Sequence, residues 1–569
     1  MLKFLRINAN QKTAIFEEVK EEYKLCGGRG LIAKLLNDEV DPACNALGPG
    51  NKLIICGGLL NGTVATTSGR LSFGGKSPLT GTAKEANVGG TGGAVFAKLG
   101  LKAIIIEDMP ADNDWSIIKM SKDSVEFLPA DKYVGLNNYD LAAQLRKDMG
   151  IKISILSIGG AGEKGYRNST IQVTDMSGNP ARAAARGGLG ALMGSKKIKA
   201  IVLEDTGAVD AQYADKEKFI AAHRKFVEGI KANPVSGQLL PALGTASLVN
   251  VVNGLGGLPT LNYSQGRWDK AEMISGEKLA EIQQTRGGKT GHACQPGCVI
   301  KCSNVLHDAD GKYVTSGCEY ETIALNGSNL GIDSLDFIAK VDRLCDDFGL
   351  DTMDTGATLG VCMEGKKIAF GDEKGALGLI KEMMAGTDFG KILGAGTDAA
   401  AKYLGIKRVP TVKGQSMAAY DPRALKGTGV TYATCPMGAD HTAGNSLGAP
   451  DINPYSKDGQ VTLSTNLQVA MALIDSLGMC IFASFCIVDP ANVGHLCDMM
   501  AAKFGGEWNP DRLFGLGVQS IALEKKFNKG AGFTAADDRL PGFMYTETLE
   551  SCNSVFDVTD EEMAQAIPF

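Results

Sequence analysis

The chain has 569 residues, of which 44% are hydrophobic and 21% charged, values typical of a soluble globular protein rather than a disordered or fibrous one. Its formal net charge of −6 and pI of about 5.6 argue against a nucleic-acid-binding protein, because such proteins are usually basic. The length exceeds what one hydrophobic core usually supports, so two or three domains are expected.

The apolar segments of the sequence suggest neither secretion nor a membrane span. The first residues, MLKFLRINANQKTA, contain no apolar run long enough for a secretory signal. The longest apolar stretch that we identify, from about Leu477 to Val488, has about half the length that a membrane span needs. We therefore expect a cytoplasmic protein, in which the fourteen cysteines are buried thiols or metal ligands rather than disulfides.

The pattern of apolar residues predicts an α+β protein with three domains. Residues 1–205 contain short apolar runs bounded by turn residues, which favour buried strands: KLIICGG (52–58), KAIIIED (102–108), KISILSIGG (152–160) and KAIVLED (199–205). This part is predicted to be a β-rich base domain. Helical spacing begins in Asp215–Ala232 and dominates afterwards. A second boundary near Thr411 gives two mainly helical domains, 206–410 and 411–569. No internal repeat is recognised.

Two segments resemble nucleotide-binding loops but do not satisfy their requirements. The segment 160–165 fits G-x-G-x-x-G, yet the residues after it, RNSTIQVTD, predict a strand, whereas a Rossmann fingerprint opens a helix. The segment 69–77 resembles a P-loop, but its first glycine is out of register. A nucleotide-dependent enzyme is therefore disfavoured.

Two glycine-rich segments that contain Arg or Lys suit a ligand with phosphate groups. They are SGRLSFGGKSPLTG (68–81) and ARAAARGGLGALMGSKKIKAIV (181–202). Guanidinium groups and bare backbone N–H groups both bind phosphate oxygens. Tight turns with surface cations would give the same pattern, and spacing alone does not separate these readings.

Three cysteines form a C-x3-C-x3-C motif, Cys294, Cys298 and Cys302, in HACQPGCVIKCSN. The Pro296-Gly297 pair favours a loop over a helix, and a loop can wrap around a metal cluster. Three close thiolates in a reducing compartment indicate metal binding. An iron–sulfur cluster would need a fourth ligand, whereas zinc could use His307 to complete a Cys3His site. Unligated buried thiols are the least favoured reading.

Two aspartate motifs resemble each other. Residues 346–351 read D-x-x-G-L-D, and residues 475–480 read D-x-x-G-M-C. Each follows a helical pattern, and each contains a glycine suited to a helix C-terminus. A single copy would indicate only a helix end. Two copies, the second of which ends in Cys480, suggest a two-fold ligand with a metal cluster beside one half.

With these motifs the chain resembles the aldehyde:ferredoxin oxidoreductase family over nearly its whole length. The resemblance implies a tungsten (or molybdenum) bis-pterin cofactor, with one aspartate motif for each pterin, and a [4Fe–4S] cluster. The implied cluster ligands are Cys294, Cys298, Cys302 and Cys480. The implied pterin-binding residues are Asp346, Gly349, Leu350, Asp351, Asp475, Gly478 and Met479.

The same resemblance assigns residues in the two cationic glycine-rich segments. Arg70 is similar to the family arginine between cluster and pterin. Asn87 and the backbone of Ala183 resemble ligands of a magnesium ion that joins the pterin phosphates, and Arg182 and Arg186 would lie near those phosphates.

Two features depart from the family pattern. The usual cysteine run is C-x2-C-x3-C, and this chain has one more residue in the first gap, which we interpret as a loop insertion. Some members bind an iron at the dimer interface through an E-x-x-H motif. This motif is absent from the sequence, so an interfacial metal is not expected.

Three residues match the family's active site: Glu321 in CEYETIALNG, His441 in MGADHTAG and Tyr420 in AAYDPRA. A carboxylate can take a proton from water or from an aldehyde hydrate, and an imidazole can polarise a carbonyl or pass a proton on. The roles of Glu321 and His441 are interchangeable at this stage. Alternatively, Glu321 is a surface acid and Tyr420 a core residue with one hydrogen bond.

The resemblance therefore predicts oxidation of an aldehyde to a carboxylic acid, with electrons passed to ferredoxin or a ferredoxin-like subunit. A homodimer, or a place in a larger electron-transfer complex, is expected from the family. The alternatives are a reductive branch that uses the same cofactors on acids or aromatic thioesters, and a non-catalytic iron–sulfur or zinc protein.

Overall fold

The computed structural model describes residues 2–206 and 209–569, and it confirms the predicted α+β class. A β-rich region extends to residue 204, and a mainly helical region follows. The strands of the β-rich region are β1 (Lys3–Asn8), β2 (Thr13–Glu18), β3 (Leu53–Gly57), β4 (Leu71–Lys76), β5 (Ala83–Val88), β6 (Leu101–Glu107), β7 (Ser116–Met120), β8 (Val125–Pro129), β9 (Ile153–Ser157), β10 (Ile171–Val173), β11 (Arg182–Ala184) and β12 (Ile198–Glu204). These strands include all four of the apolar runs predicted to be strands.

The twelve strands form two six-stranded sheets with the same topology. The order is β2-β1-β6-β3-β4-β5 in the first sheet and β8-β7-β12-β9-β10-β11 in the second. In each sheet one neighbouring pair is parallel, β1 with β6 and β7 with β12, and the other pairs are antiparallel. The side chains of β3, β6, β9 and β12 are largely buried, which accounts for their continuous apolar runs.

Helices occupy matching places in the two halves of this region. Helix α1 (Gly28–Glu39) lies between β2 and β3, and α2 (Gly92–Lys98) lies between β5 and β6. In the second half α3 (Asn138–Met149) and α5 (Leu189–Ser195) follow β8 and β11. Residues 3–107 and 116–204 are therefore an internal structural repeat, which the sequence analysis missed. Its signal was the near identity of KAIIIED and KAIVLED, which form the equivalent strands β6 and β12.

The glycine motif at residues 160–165 needs one correction. It does open a helix, α4 (Gly160–Glu163), directly after β9, although the sequence predicted none. The helix has a single turn, and the chain then continues into β10 as the sequence RNSTIQVTD predicted. The long helix that completes a dinucleotide-binding unit is not formed.

The remaining residues form a mainly helical region that covers the sheets. Helix α6 (Lys216–Ala232) begins at Asp215, whose side chain accepts a hydrogen bond from the Lys218 N–H group, and it confirms the first predicted helix. The other elements are α7 (Leu240–Leu243), α8 (Leu248–Gly254), α9 (Gly276–Arg286), β13 (Lys289–His292), β14 (Ser303–His307), β15 (Tyr313–Ser316), α10 (Tyr320–Asn326), α11 (Leu335–Phe348), α12 (Thr352–Glu364), α13 (Glu373–Ala385), α14 (Asp388–Gly394), α15 (Thr397–Leu404), β16 (Thr411–Val412), β17 (Gln415–Ser416), α16 (Lys426–Thr434), α17 (Gln460–Leu477), α18 (Pro490–Phe504), α19 (Pro510–Gly530), α20 (Phe543–Thr546) and α21 (Asp560–Met563).

One helical segment of the described residues, Val235–Gly254, is long and apolar enough to cross a membrane by length and composition alone. In the structure it is a series of short turns, which includes α7 and α8, and it packs against α9 and β13. Its side chains Leu240, Ala246 and Val249 are buried. Core helices of globular proteins pass the same composition test, so this is weak support for a membrane span.

Candidate cofactor and active site

The two aspartate motifs are the carboxyl ends of two long helices, as the sequence predicted. Helix α11 ends at Phe348, and Gly349 follows with a φ of 84°. Helix α17 ends at Leu477, and Gly478 follows with a φ of 75°. Glycine adopts this left-handed conformation without strain, so each motif stops its helix and turns the chain towards the sheets.

The first motif contacts the second half of the structural repeat. The Thr170 N–H group donates to the Gly349 carbonyl at 2.9 Å, and the Asp351 N–H group donates to the Asn168 carbonyl at 2.9 Å. Thr170 immediately precedes β10. A β-carbon added to Gly159 would lie 2.4 Å from the Phe348 carbonyl oxygen, so this helix end packs closely on the turn after β9.

The second motif makes the equivalent contacts with the first half of the repeat. The Arg70 N–H group donates to the Gly478 carbonyl at 3.3 Å, and the Cys480 N–H group donates to the Thr67 carbonyl at 3.0 Å. Arg70 immediately precedes β4, the counterpart of β10. A β-carbon on Gly58 would lie 2.0 Å from the Gly478 nitrogen. The backbone therefore has the two-fold arrangement that the paired motifs suggested.

The three cysteines of the C-x3-C-x3-C motif lie in the loop between β13 and β14, and no helix forms across Pro296-Gly297. Cys298 and Cys302 are buried, and Cys294 is half-buried. The Thr66 side chain donates to the Gly297 carbonyl at 2.9 Å, and the neighbouring Thr67 carbonyl accepts from Cys480. The segment before β4 therefore links the cysteine loop to Cys480, the predicted fourth ligand.

The four cysteine thiols lie close enough together to affect one another's pKa values. Burial raises the pKa of Cys480 to about 12, and the thiols of Cys294 and Cys298 add to the effect of burial against the lowering effect of Arg70. Burial also raises the pKa of Cys302, with contributions from Glu319 and from the other three cysteines. Thiols with raised pKa values lose their protons at neutral pH when a metal binds them.

The described residues give no support to the zinc alternative with His307 as the fourth ligand. Within residues 2–206 and 209–569, no group of three or more His, Cys, Asp and Glu side chains is arranged to hold one metal ion. His307, the alternative zinc ligand, has its Nδ1 atom 3.2 Å from the Arg286 carbonyl oxygen and its ring edge-on to Tyr313.

Arg70 and Asn87 connect the cysteines to the second aspartate motif. The Arg70 guanidinium donates to both the side-chain and the backbone oxygens of Asn87, the latter at 3.0 Å. Asn87 in turn donates to Asp475 at 2.7 Å. Although burial opposes its charge, Cys480, Cys294 and Asp475 raise the pKa of Arg70. A permanent cation therefore lies between the thiols and the motif.

Asp475 also contacts a buried ion pair, formed by Arg29 and Glu524, that the sequence did not predict. Arg29 donates to both carboxylate oxygens of Glu524, at 2.7 and 2.8 Å, and contacts Asp475 at 3.5 Å. Burial raises the pKa of Asp475 to about 6, against the opposing effect of Arg29 and Arg70. In the sequence, Arg29 stands out only as part of the glycine-rich segment GGRGL (27–31). Its partner lies nearly 500 residues away, so no local pattern indicates the pair.

Asn87 and Ala183 occupy equivalent positions in the two sheets. Asn87 on β5 is paired with Ser72, and Ala183 on β11 is paired with Gln172, at matching points of the repeat. Their role as magnesium ligands stays a prediction.

Arg182 has buried polar groups without a partner in the described chain. Its Nη1 atom donates to the Ser303 side chain at 2.9 Å, while Nε and Nη2 are buried and unbonded. An unpaired buried N–H group costs roughly 1–3 kcal/mol, and more when the group is charged. Phosphate oxygens would satisfy this guanidinium in the geometry that arginine forks prefer. The residues present therefore fit a phosphate-bearing cofactor.

Arg186, also predicted to be near the phosphates, is occupied by protein groups. It donates to the Ala439 carbonyl at 2.7 Å, to the Ser416 side chain at 2.9 Å and to the Asp351 carboxylate at 3.4 Å. These contacts join the first aspartate motif to the segment before His441. Its contact with phosphate stays a prediction.

The structure brings together the three predicted active-site residues. Glu321 lies in the first turn of α10, Tyr420 follows β17, and His441 begins a single 3-10 turn, His441–Ala443. The Glu321 carboxylate oxygen Oε1 lies 2.9 Å from His441 Nε2 and accepts a hydrogen bond from the Tyr420 hydroxyl at 3.1 Å. The side chains of Glu321 and His441 are only 13% and 14% exposed, so Glu321 is not a surface acid.

The pair formed by Glu321 and His441 favours the charged form of both groups. Burial opposes ionisation, but the attraction and hydrogen bond between them outweigh it, so the pKa of Glu321 is lowered and that of His441 is raised. Asp440 also contributes to the raised pKa of His441. The Nδ1 atom of His441 is buried without a hydrogen-bond partner in the described chain.

Lys84 and Asp440 hold the turn that carries His441, and the sequence analysis identified neither. Asp440 accepts hydrogen bonds from the Thr442 N–H and hydroxyl groups at 3.0 and 2.7 Å, and Lys84 lies 3.2 Å from its other oxygen. Burial opposes its charge, yet Lys84 and Arg186 hold the pKa of Asp440 well below its usual range. A charged Asp440 fixes the backbone on either side of the imidazole.

Two family models match the chain, and with the fold they define an oxidoreductase. The model described as "Aldehyde ferredoxin oxidoreductase, N-terminal domain" matches residues 4–205. The model described as "Aldehyde ferredoxin oxidoreductase, domains 2 & 3" matches residues 221–568. The chain belongs to the aldehyde ferredoxin oxidoreductase family.

Individual proteins agree with this assignment. The chain is 34% identical to the tungsten-containing aldehyde ferredoxin oxidoreductase of Pyrococcus furiosus and 35% identical to that of Thermococcus kodakarensis, and each alignment covers 95% of this chain and 90% of the relative. Among solved structures, it is similar to the active site complex BamBC of benzoyl coenzyme A reductase, with a TM-score of 0.81 at 18% identity over 99% of this chain and 93% of that one. The latter likeness shows the fold alone.

Proposed function

We propose that the protein is a tungsten (or molybdenum) bis-pterin, [4Fe–4S] oxidoreductase that oxidises aldehydes to carboxylic acids and passes the electrons to ferredoxin. The observation that carries the proposal is the buried Glu321 carboxylate, which contacts both His441 and Tyr420. An electron carrier or a zinc-stabilised scaffold would have no use for such a proton-transfer group. The family relatives named as aldehyde oxidoreductases support the choice of substrate class.

The chain offers ligands for both cofactors. Cys294, Cys298, Cys302 and Cys480 would hold the cluster, which their mutual proximity supports. The unbonded Nε and Nη2 atoms of Arg182 support a bound phosphate, and Arg186 would lie near the phosphates with magnesium between Asn87 and the Ala183 backbone. The pterin-binding set would be Arg70, Asp346, Gly349, Leu350, Asp351, Asp475, Gly478 and Met479. When bound, the cofactors would supply two-electron redox chemistry and single-electron transfer.

The protein's own groups would position the substrate and move its protons. Oxidation of an aldehyde with an oxygen from water yields the acid, two electrons and two protons. Glu321, kept ionised by His441, would accept a proton from water or from the aldehyde hydrate. His441, kept protonated by Glu321, would donate a hydrogen bond to the substrate oxygen. Tyr420 would hold the Glu321 carboxylate in place through its hydrogen bond.

Other parts of the proposal rest on sequence patterns or on the family resemblance. The division into domains 1–205, 206–410 and 411–569, the cytoplasmic location, and a homodimer or larger electron-transfer complex stay predictions. Ferredoxin or a ferredoxin-like subunit would take the electrons from the cluster.

The test is an aldehyde oxidation assay with a low-potential dye as electron acceptor. The protein would be purified without oxygen from cells supplied with tungstate or with molybdate. Activity that requires one of these metals, and that the His441→Ala variant lacks, would support the proposal. No oxidation of short, branched or aromatic aldehydes by protein that contains the metal and iron would refute it.

A further inference from the structure

Four tyrosines of the helical region are fully or almost fully buried in the same core, and their hydroxyl groups differ in whether they have a hydrogen-bond partner. Tyr263 donates to the Ala418 carbonyl at 2.7 Å, and Tyr320 donates to the Ala419 carbonyl at 2.5 Å. Tyr420 donates to Glu321. Tyr432 has no hydrogen-bond partner within residues 2–206 and 209–569. The Tyr432 side chain is 0% exposed.

The surroundings of the Tyr432 hydroxyl place it at the active site. Tyr432 lies on α16, which contacts the turn that begins at His441. The hydroxyl is close enough to the Tyr263 hydroxyl, the Glu321 carboxylate, the Arg186 guanidinium and the Tyr320 hydroxyl for each of them to affect its pKa. All four neighbours are already engaged with other protein groups.

A hydroxyl buried without a partner is costly, and nearly all buried polar side chains in folded proteins are bonded. Such a group indicates an acceptor that the folded chain does not supply. Tyr263 and Tyr320 show that the same residue type in the same core does find a carbonyl partner. The difference at Tyr432 therefore points to a ligand rather than to a general shortage of acceptors.

We propose that the Tyr432 hydroxyl donates a hydrogen bond to the oxygen atom of the bound carbonyl substrate, and that it is a further catalytic residue. This inference rests on the function proposed above. Negative charge develops on the substrate oxygen when Glu321 takes a proton from the water that attacks the carbonyl, or from the hydrate. A neutral donor that the fold already orients stabilises that charge without the reorganisation that water would need.

The experiment compares the parent protein with Tyr432→Phe and with the matched control Tyr263→Phe. The measurements are the metal and iron content, the unfolding midpoint of the cofactor-depleted protein, kcat and KM for acetaldehyde, and the Kd for acetate. Tyr432→Phe should keep its metals and have an unfolding midpoint equal to or above that of the parent. Its kcat/KM should fall about 100-fold, as when one donor to a developing oxyanion is lost, and acetate should bind more weakly.

Tyr263→Phe should behave in the opposite way, with a lower unfolding midpoint and nearly normal kinetics, because its hydroxyl supports the Met417–Ala418 backbone. The inference is overturned if Tyr432→Phe leaves kcat/KM and the acetate Kd unchanged. It is also overturned if that variant loses its tungsten or molybdenum, since the hydroxyl would then serve the cofactor. An inactive parent protein, by contrast, would refute the proposed function itself.

Discussion

Replacing Glu321 by glutamine tests the proposed proton transfer most specifically, because it removes one charge and keeps the shape. The parent carboxylate contacts His441 at 2.9 Å and Tyr420 at 3.1 Å in a site that is nearly closed to water. The amide cannot accept the proton. We therefore expect kcat to fall by roughly 10²–10⁴-fold, the usual contribution of a general base. The pKa of His441 should also fall, because the carboxylate that raises it is gone.

The same substitution should lower stability in a pH-dependent manner. Loss of one partner of a buried ion pair costs about 3–5 kcal/mol in the free energy of unfolding. The raised pKa of His441 means that its protonated form stabilises the folded state. This contribution is complete below about pH 6.5, the pKa of histidine in the unfolded chain, and it disappears as the pH rises through the pKa in the folded state. The lowered pKa of Glu321 means that its ionised form stabilises the folded state. This contribution is complete above about pH 4.3, the pKa of glutamate in the unfolded chain, and it disappears as the pH falls through the pKa in the folded state.

The difference in the free energy of unfolding between the parent and Glu321→Gln should therefore be largest between about pH 4.3 and 6.5. It should become smaller in alkaline solution. Urea unfolding of both proteins at several pH values measures it. Glu281→Gln, at an exposed carboxylate paired with Lys278, is the matched control and should have a small effect at every pH. A deficit of equal size at all pH values, together with an unchanged kcat, would show that Glu321 and His441 do not work as a charged pair.

Three further experiments test other parts of the site. Cys480→Ser should remove most of the iron, whereas Cys486→Ser should keep it, and equal iron loss would show that the fourth ligand was chosen wrongly. Arg182→Met should lower the tungsten or molybdenum content without lowering the unfolding midpoint of cofactor-depleted protein, and normal metal content would argue against a phosphate contact. Glu524→Gln should cost about 3 kcal/mol in urea unfolding, because Arg29 would lose its buried counter-charge, and a loss below about 1 kcal/mol would contradict this account.

Local patterns in the sequence were enough to predict two helix ends and several of the buried strands. The glycines at 349 and 478 stop their helices in a left-handed conformation, which is a property of those residues themselves. The apolar runs at β6 and β12 are buried along almost their whole length, as their composition implied. The single turn of α4 was missed because a four-residue helix has no periodicity to detect.

The positions of Glu321, His441 and Tyr420 were predicted only through the family resemblance. Their meeting depends on contacts between segments about one hundred residues apart, which no local pattern specifies. For the same reason the partners of Arg29, Lys84 and Asp440 could not be predicted. The internal repeat was present in the sequence as KAIIIED and KAIVLED, but one seven-residue similarity did not reveal the ten other equivalent strands.

The central claim is that this chain holds a bis-pterin metal site and one iron–sulfur cluster. Elemental analysis of anaerobically purified protein for tungsten, molybdenum, iron and zinc tests it most directly. The account predicts about four irons and about one tungsten or molybdenum atom per chain. Zinc alone, or iron without tungsten or molybdenum from cells able to make the cofactor, would contradict it.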